Sequence, residues 1–324
     1  MRKFTPIFAA LTLCLGAPAT ASAAGADTFP TKTVNIVVPF APGGGSDTLA
    51  RTVGQQLSEK WKQPVVVTNK AGADGNIGAH FVANAAPDGY TLMVLDIGTL
   101  TMGSIFYKDL PYDPSKAFDP VTILTFSPHT LVAHPSVPAT NFKELLEYSK
   151  ANPDRMNFAA HNNSAALAGY RLTAESGFQA TQIPYKGAGA ATADLLGGQV
   201  NTSLVSLLLA TPHIKSGALK GIAVASPKRM PFMPDVPTLI ESGVPGYVMG
   251  SWQGVVAPAG VPKDILHKIS SDIVEVLNRP EIREKLEASG AEIVGNTPEE
   301  FGKLLDEQRK VFKEVAAKSN LAAK

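Results

Sequence analysis

A chain of 324 residues, 44% of them hydrophobic and 18% charged, has enough material for two domains, because single cores stop growing at roughly 250–300 residues. The formal net charge is +1 and no basic stripe or run occurs, which argues against nucleic acid or an anionic membrane surface as partner.

The beginning of the chain reads as an export leader. Arg2 and Lys3 precede an apolar segment from Phe4 to Gly16, and Ala21-Ser22-Ala23 then supplies the small-residue cleavage pattern. The segment is too short for a membrane span, which needs roughly 20 apolar residues. A signal peptide over 1–23, a mature protein starting near Ala24 and a periplasmic location are therefore expected. Cys14 is the only cysteine, and Leu13 before it is too large for the usual lipoprotein signal. The mature chain then has no thiol for disulfides, catalysis or metal, and losing Arg2 and Lys3 takes the charge from +1 to −1.

Apolar strand-like runs alternate with helical patterns almost throughout, predicting an α/β protein with largely parallel sheets. The first strand is 34–38. Leu49, Val53, Leu57 and Trp61 recur every four residues and give the first helix a buried stripe, with Ser46 placed to cap it. A second strand is expected at 64–68. The glycine-rich residues 72–75 open a helix carrying Ile77, Phe81, Val82 and Ala85, and 91–95 is the third strand. After Pro120, strands are predicted at 121–125, 130–133, 156–160, 181–184, 201–205 and 221–225. Helices near 141–151, 165–176, 188–196 and 208–216 lie between them. Helices at 262–278 and 281–288 and a short strand at 291–294 follow. Thr297-Pro298-Glu299-Glu300 is a capping box for a last helix with the stripe Phe301, Leu304, Leu305, Val311, Phe312 and Val315. No repeat or low-complexity linker divides the chain, so two domains would be joined by short crossings, near 124–130 and 248–254.

The loop PFAPGGGSD, residues 39–47, admits several readings. A P-loop lacks its lysine, a dinucleotide fingerprint lacks its third glycine and its acidic residue, and Ser46 does not sit in G-x-S-x-G. A plain tight turn stays open. Beside GADGNIG, residues 72–78, it suggests two helix N-termini facing one crevice, where backbone amides could hold a small anion. The six histidines show no metal spacing, and His129 and His134 read as polar edge residues. For His161, in the loop before a helix, a site contact stays open and a catalytic role is disfavoured. No paired carboxylates stand out: Asp88 and Asp113 read as turn residues, and Trp252 as packing. Neither enzymatic activity, cofactor nor metal is expected.

The segments VPFAPGGGSDTLAR, NKAGADGNIGAHFVANAAPDGYTL, LPYDPSKAFDPV, PYKGAGAATADLLGGQV, HIKSGALKGIAVAS, PDVPTLIESGVPG and SWQGVVAPAGVPK resemble, in order, the substrate-binding proteins of tripartite tricarboxylate transporters, the Bug family. The resemblance implies a monomeric, two-lobed periplasmic binding protein of type II, closing like a Venus flytrap, each lobe a mostly parallel sheet flanked by helices. Lobe 1 would comprise 24–126 plus 252–324 and lobe 2 residues 127–251. Such a receptor delivers a small organic carboxylate to the subunits of a membrane permease. By position, Phe40, Ala41, Pro42, Gly43 and Gly44, with Gly72, Ala73, Asp74 and Gly75, would surround one ligand carboxylate through backbone amides and bridging waters. Asp47 matches the acid closing the first motif, and Thr99 and Thr101 match hydroxyl residues after the third strand.

The second lobe departs from the family pattern. Asn162, Asn163, Ser164, Ala165 and Ala166 replace a serine-rich loop that ends in histidine, Ala166 taking the histidine's place. Leu204 and Val205 replace a phenylalanine–aspartate pair. Neither motif supplies a cation, and Lys186 belongs to the common pattern. The expected ligand has one firmly held carboxylate and a less charged distal part, as in an aromatic or medium-chain acid. A periplasmic sensor of a two-component system would use the same pocket and is the alternative function; an exported hydrolase is disfavoured by the missing elbow.

Overall fold

The computed structural model describes residues 28–161, 163–185, 188–231, 233–288 and 290–318, apart from the side chains of Asn163 and Leu208. The leader with its cleavage site, Asn162 and Lys186 lie outside the described residues.

The N-terminal elements follow the predicted order: β1 (Val34–Val38), α1 (Gly45–Trp61), β2 (Val65–Asn69), α2 (Asn76–Ala83) and β3 (Thr91–Asp96). Leu49, Val53, Leu57 and Trp61 are buried along one face of α1, each burial of this kind being worth roughly 1.5–3 kcal/mol. The α2 pattern is helical as expected, but its buried face is Asn76, Gly78, Ala79 and Val82, leaving Ile77 and Phe81 exposed. Close approach decides this orientation. A Cβ on Gly78 would lie 2.7 Å from Pro39 Cβ and 2.9 Å from the Lys70 carbonyl oxygen, so only glycine lets α2 rest on the end of β1.

An unanticipated helix, α3 (Gly98–Phe106), follows β3 directly. The two strands expected around 121–133 are one, β4 (Phe118–Ala133). Then come α4 (Phe142–Ala151), β5 (Asn157–Ala160), α5 (Asn163–Ser176), β6 (Thr181–Pro184), α6 (Ala188–Leu196), β7 (Thr202–Ser206), α7 (Leu207–Lys215) and β8 (Lys220–Val224). The segment SWQGVVAP is a further strand, β9 (Gly250–Pro258), before α8 (Lys263–Leu277), α9 (Pro280–Ala288), β10 (Glu292–Ile293) and α10 (Pro298–Lys318). At the start of α10 the Thr297 amide donates to Glu300 Oε2 at 2.9 Å and the Glu300 amide to Thr297 Oγ1 at 3.2 Å, the reciprocal bonds of a capping box.

At about 3.3 Å per residue, β4 is about 50 Å long, enough to serve two sheets. Its first part pairs with β9 from Phe118 to Pro128 and with β10. This sheet runs β2-β1-β3-β9-β4, in which β1, β2, β3 and β4 share a direction and β9 and β10 oppose it. From His129 to Ala133, β4 pairs instead with β7 and across its other edge from Thr130 with β8. The second sheet runs β8-β4-β7-β5-β6, its other strands antiparallel to β4. The result is a mixed α/β protein whose curled sheet is flanked by helices.

The return crossing is pinned by a buried cation. Arg171 of α5, held by Glu175 at 2.8 Å, donates to the carbonyls of Gly246 and Val248 at 2.9 and 3.0 Å. Trp252 then packs on Phe126, ring centroids 4.0 Å apart. α10 touches both cores: Phe301 and Leu305 pack with Val37, Leu95 and Ile97, whereas Phe312 and Val315 pack with Leu131, Phe158 and Tyr247.

Where the two crossings touch, a Cβ on Gly250 would lie 2.4 Å from the Ser127 carbonyl oxygen and 2.9 Å from Pro128 Cα. Both are backbone atoms and cannot swing away. Gly250→Ala is therefore expected to lower stability by ~1–3 kcal/mol through overpacking, measured as a shift in the urea midpoint; an unshifted midpoint would contradict the close crossing.

Candidate functional site

The site lies where β4 exchanges one sheet for the other. A cavity of about 340 Å³ is lined by Phe40 before α1, by Asp74 and Asn76 of the second glycine loop, and by Asp96 at the end of β3. Gly98, Thr99, Met102, Gly103 and Phe106 of α3 line it with Tyr107, and His129, Ser164, Gly250 and Ser251 complete it. The volume suits a small organic molecule. The N-termini of α3 and α5 both open at this cavity, at Gly98–Thr99 and Ser164, and such ends favour negative charge. No lysine or arginine is among the described lining residues.

The first glycine loop is shaped by Asp47. Gly44 is the N-cap of α1. The buried Asp47 carboxylate accepts from the Gly43 amide at 2.9 Å, from Asn69 Nδ2 at 2.9 Å and from Arg51. These bonds, that of Arg51 foremost, hold its pKa down at about 2. Ser46, expected as a cap, stands inside the first turn, and its hydroxyl donates to Gln253 Oε1 at 2.6 Å. From there hydrogen bonds run across β9: Gln253 Nε2 donates to Ser251 Oγ, and Ser251 Oγ donates to Asp96 Oδ2. Asp96 Oδ1 accepts from the Gly98 amide at 2.8 Å. One polar chain thus ties the first loop, the return crossing and the start of α3 together beneath the cavity. Burial of Asp96 pushes its pKa up, against the pull of Ser251 and Gly98.

The second loop is wound tightly. Gly72, Ala73, Asp74 and Gly75 have φ of 135°, 47°, 50° and 91°, and for Ala73 and Asp74 such left-handed backbone is strained. α3 holds it in place. Tyr107 donates its hydroxyl to Asp74 Oδ2, which with burial raises the Tyr107 pKa to about 12. Tyr112, raised to about 12 by burial, donates to Asn76 Oδ1 at 2.6 Å. A Cβ on Gly75 would lie 3.2 Å from Thr99 Oγ1 and 3.3 Å from Phe40 Cζ, so the two loops and α3 converge here.

Of the residues expected at the site, Phe40, Asp74, Thr99 and Ser164 line the cavity, and Ala41, Pro42, Gly43, Gly44, Gly72, Ala73 and Gly75 are not among its lining residues. Three amides of the two glycine loops have partners within the protein. The Gly43 amide serves Asp47, the Gly75 amide donates to the Gly72 carbonyl, and the Asn76 amide donates to the Ala73 carbonyl; these amides close their own turns. Thr101 is buried and donates its hydroxyl to the Ile97 carbonyl. Val205 lies in the core with Val132, Ala159 and Leu195 rather than on the cavity, because β7 is an interior strand between β4 and β5. Leu204 packs on the other face of that strand with Leu131 and Phe158. Ala166 is absent from the lining, its carbonyl accepting from Gln182 at 3.1 Å.

The residues that sequence reasoning missed are mostly on α3. Met102, Gly103 and Phe106 follow the expected Thr99 at i+3, i+4 and i+7, one face of a helix, and that spacing is the available signal. His129 is not an edge residue: β4 is interior, and the side chain is buried against the cavity.

The bonds to Asp47 predict a pH dependence. Its folded pKa of about 2 lies below the ordinary 3.8, so its contribution is complete above roughly pH 4 and is lost as pH falls toward 2. The difference in thermal midpoint between wild type and Asp47→Asn should be full at pH 6 and vanish by about pH 2. A difference that is independent of pH would show that ionised Asp47 does not hold the loop.

Residues 49–321 match the model of the tripartite tricarboxylate transporter family receptor. BugT of Bordetella pertussis is 34% identical over 323 residues, covering 98% of this chain and 99% of that protein. Among solved structures, Rpa4515 of R. palustris with adipate is 31% identical with a TM-score of 0.75, covering 91% of this chain and all (100%) of that one. MatC of Rhodopseudomonas palustris with bound malate is 33% identical with a TM-score of 0.71, covering 89% and 99%. These are solute receptors rather than enzymes. The chain belongs to the tripartite tricarboxylate transporter receptor family, the Bug proteins.

Proposed function

We propose that this protein is a periplasmic receptor that captures a small organic carboxylate in the cavity at the β4 crossing and delivers it to a tripartite tricarboxylate-type permease. The observation that carries this reading is the cavity itself. Two helix N-termini and the hydroxyls of Thr99 and Ser164 border it, with no lining lysine or arginine among the described residues. Such a site can hold one carboxylate by directed donors and dipoles, each charge-assisted bond contributing about 1.5–3 kcal/mol. The apolar surfaces of Phe40, Met102 and Phe106 suit a hydrocarbon segment behind that carboxylate. The relatives solved with adipate and malate support the same class of ligand. The export leader, outside the described residues, would place the mature protein in the periplasm, where it works as a monomer.

In this reading residues 24–126 with 252–324 form one lobe and 127–251 the other, and the crossings near 124–130 and 248–254 are hinges. α10, packed on both cores, limits how far the lobes part. A ligand touching both lobes favours the closed form only by its differential affinity for it.

Two outcomes follow. Calorimetry at neutral pH should give adipate- or benzoate-like acids at least ~100-fold tighter binding than citrate, whose extra charges would be left unpaired at a cost of several kcal/mol; tighter binding of citrate would overturn the ligand class. Saturating acid should also shrink the radius of gyration measured by small-angle scattering, and an unchanged radius with demonstrated binding would count against closure.

A further inference from the structure

His129 is the first residue of β4 to pair in the second sheet, opposite Ser206, and its backbone is fixed on both sides. Its amide donates to the Met249 carbonyl at 2.9 Å and its carbonyl accepts from the Ala225 amide at 2.8 Å. Only 9% of the residue is exposed, yet it lines the cavity, and its Nδ1 has no hydrogen-bond partner among the described residues. His161, in the turn between β5 and α5, is close enough to influence it, and His161 Nδ1 is likewise buried without a partner. Leaving a buried polar nitrogen unpaired costs stability that an apolar residue would not cost. His129 thus brings to the cavity wall a buried ring with an uncommitted nitrogen, with the uncommitted His161 near it, and such a ring is complementary to a ligand group that pairs with it.

The neighbouring groups favour an acceptor as that ligand group. Asp96 is engaged by Ser251 and the Gly98 amide, and Asp74 by Tyr107. β7, β8 and β9 meet this part of β4 with Ser206, Val224 and Gly250, none of them titratable. α3 contributes Thr99, Met102 and Phe106, and α5 contributes Ser164. α10 brings Gln308 and Phe312 to the adjoining space, and α7 carries its basic residues, His213 and Lys215, in its last turn, remote from Ser206. Among the described residues, the histidines are therefore the groups here that can acquire positive charge.

We infer that His129, with His161 beside it, receives the second carboxylate of a dicarboxylate ligand, and that this end binds together with a proton. The inference rests on the carboxylate-receptor reading and names the ligand class within it. In the free protein burial first, and then His161, hold His129 down at about 4, and burial lowers His161 too, so the pair is neutral near pH 7. A carboxylate placed against it favours the imidazolium and raises that pKa. Binding near neutrality then takes a proton from solvent, and affinity rises as pH falls toward the free-state value.

The test is calorimetry of the mature protein with adipate, and with hexanoate as the matched monocarboxylate, in buffers of different ionisation enthalpy between pH 6 and 8. Adipate is expected to take up close to one proton, with affinity rising up to ~10-fold per unit of falling pH; hexanoate should show neither effect. His129→Asn, checked for folding by its thermal midpoint, should abolish the proton uptake and the pH slope for adipate. In wild type, the His129 imidazole Cε1 resonance should move to its charged position when adipate binds. Adipate binding without proton uptake, an unchanged slope in His129→Asn, or binding of hexanoate alone would each overturn the inference while leaving a carboxylate receptor standing. Binding of neither acid, nor of any other small carboxylate, would instead remove the reading on which it rests.

Discussion

Everything at the cavity depends on one strand serving two sheets. β4 pairs with β9 as far as Pro128 and with β7 from His129 onward, so the change of partner falls within a single peptide step. At such a change, strand ends and helix starts from both sheets are left facing a common space, the general reason that open α/β proteins bind ligands at topological switch points. Gly250 lets the return strand pass against Ser127 and Pro128, and Arg171 fixes the segment leading into it. The site is thus a consequence of connectivity before any particular side chain is considered.

The electrostatics of the cavity then restrict the ligand. Its described lining holds Asp74 and Asp96 and no permanent cation. Both carboxylates are occupied by protein donors, Asp74 by Tyr107 and Asp96 by Ser251 and Gly98. What remains for a guest is a set of hydroxyls, helix N-termini and neutral histidines, with apolar surface between. In an environment of low dielectric such donors are effective for one charge and poor for three, which agrees with a ligand of low net charge.

Much of the architecture was legible in the sequence because the signals were periodic. The four-residue spacing of Leu49 to Trp61 and the capping box at Thr297 are local, and both were read. The misreadings came from tertiary causes. Pro128 divides β4 into two apparent pieces and Pro120 hides its start, although its pairing with β9 absorbs both. SWQGVVAP was read only as a crossing, because its glycines and polar residues hide a strand whose Ser251 and Gln253 carry the hydrogen-bonded chain. Glycine and threonine in GTLTMGSIF masked α3, and so most of the cavity wall. Ile77 and Phe81 followed a helical period faithfully but on the exposed face, since Gly78 has to meet Pro39. Val205 stood out as a departure from the family pattern, but it lies in the core of the second sheet. His129, set aside as an edge residue, lies at the change of sheet, a fact of topology that no local pattern encodes.

The central claim is that this cavity holds one small carboxylic acid. Native mass spectrometry of gently purified mature protein tests it most directly. The account predicts a single bound acid per chain, retained from the host or acquired from a mixture of mono-, di- and tricarboxylates, and weighted toward acids with no more than two carboxyl groups. A chain that stays bare throughout such a mixture, or that selects the tricarboxylates, would contradict it.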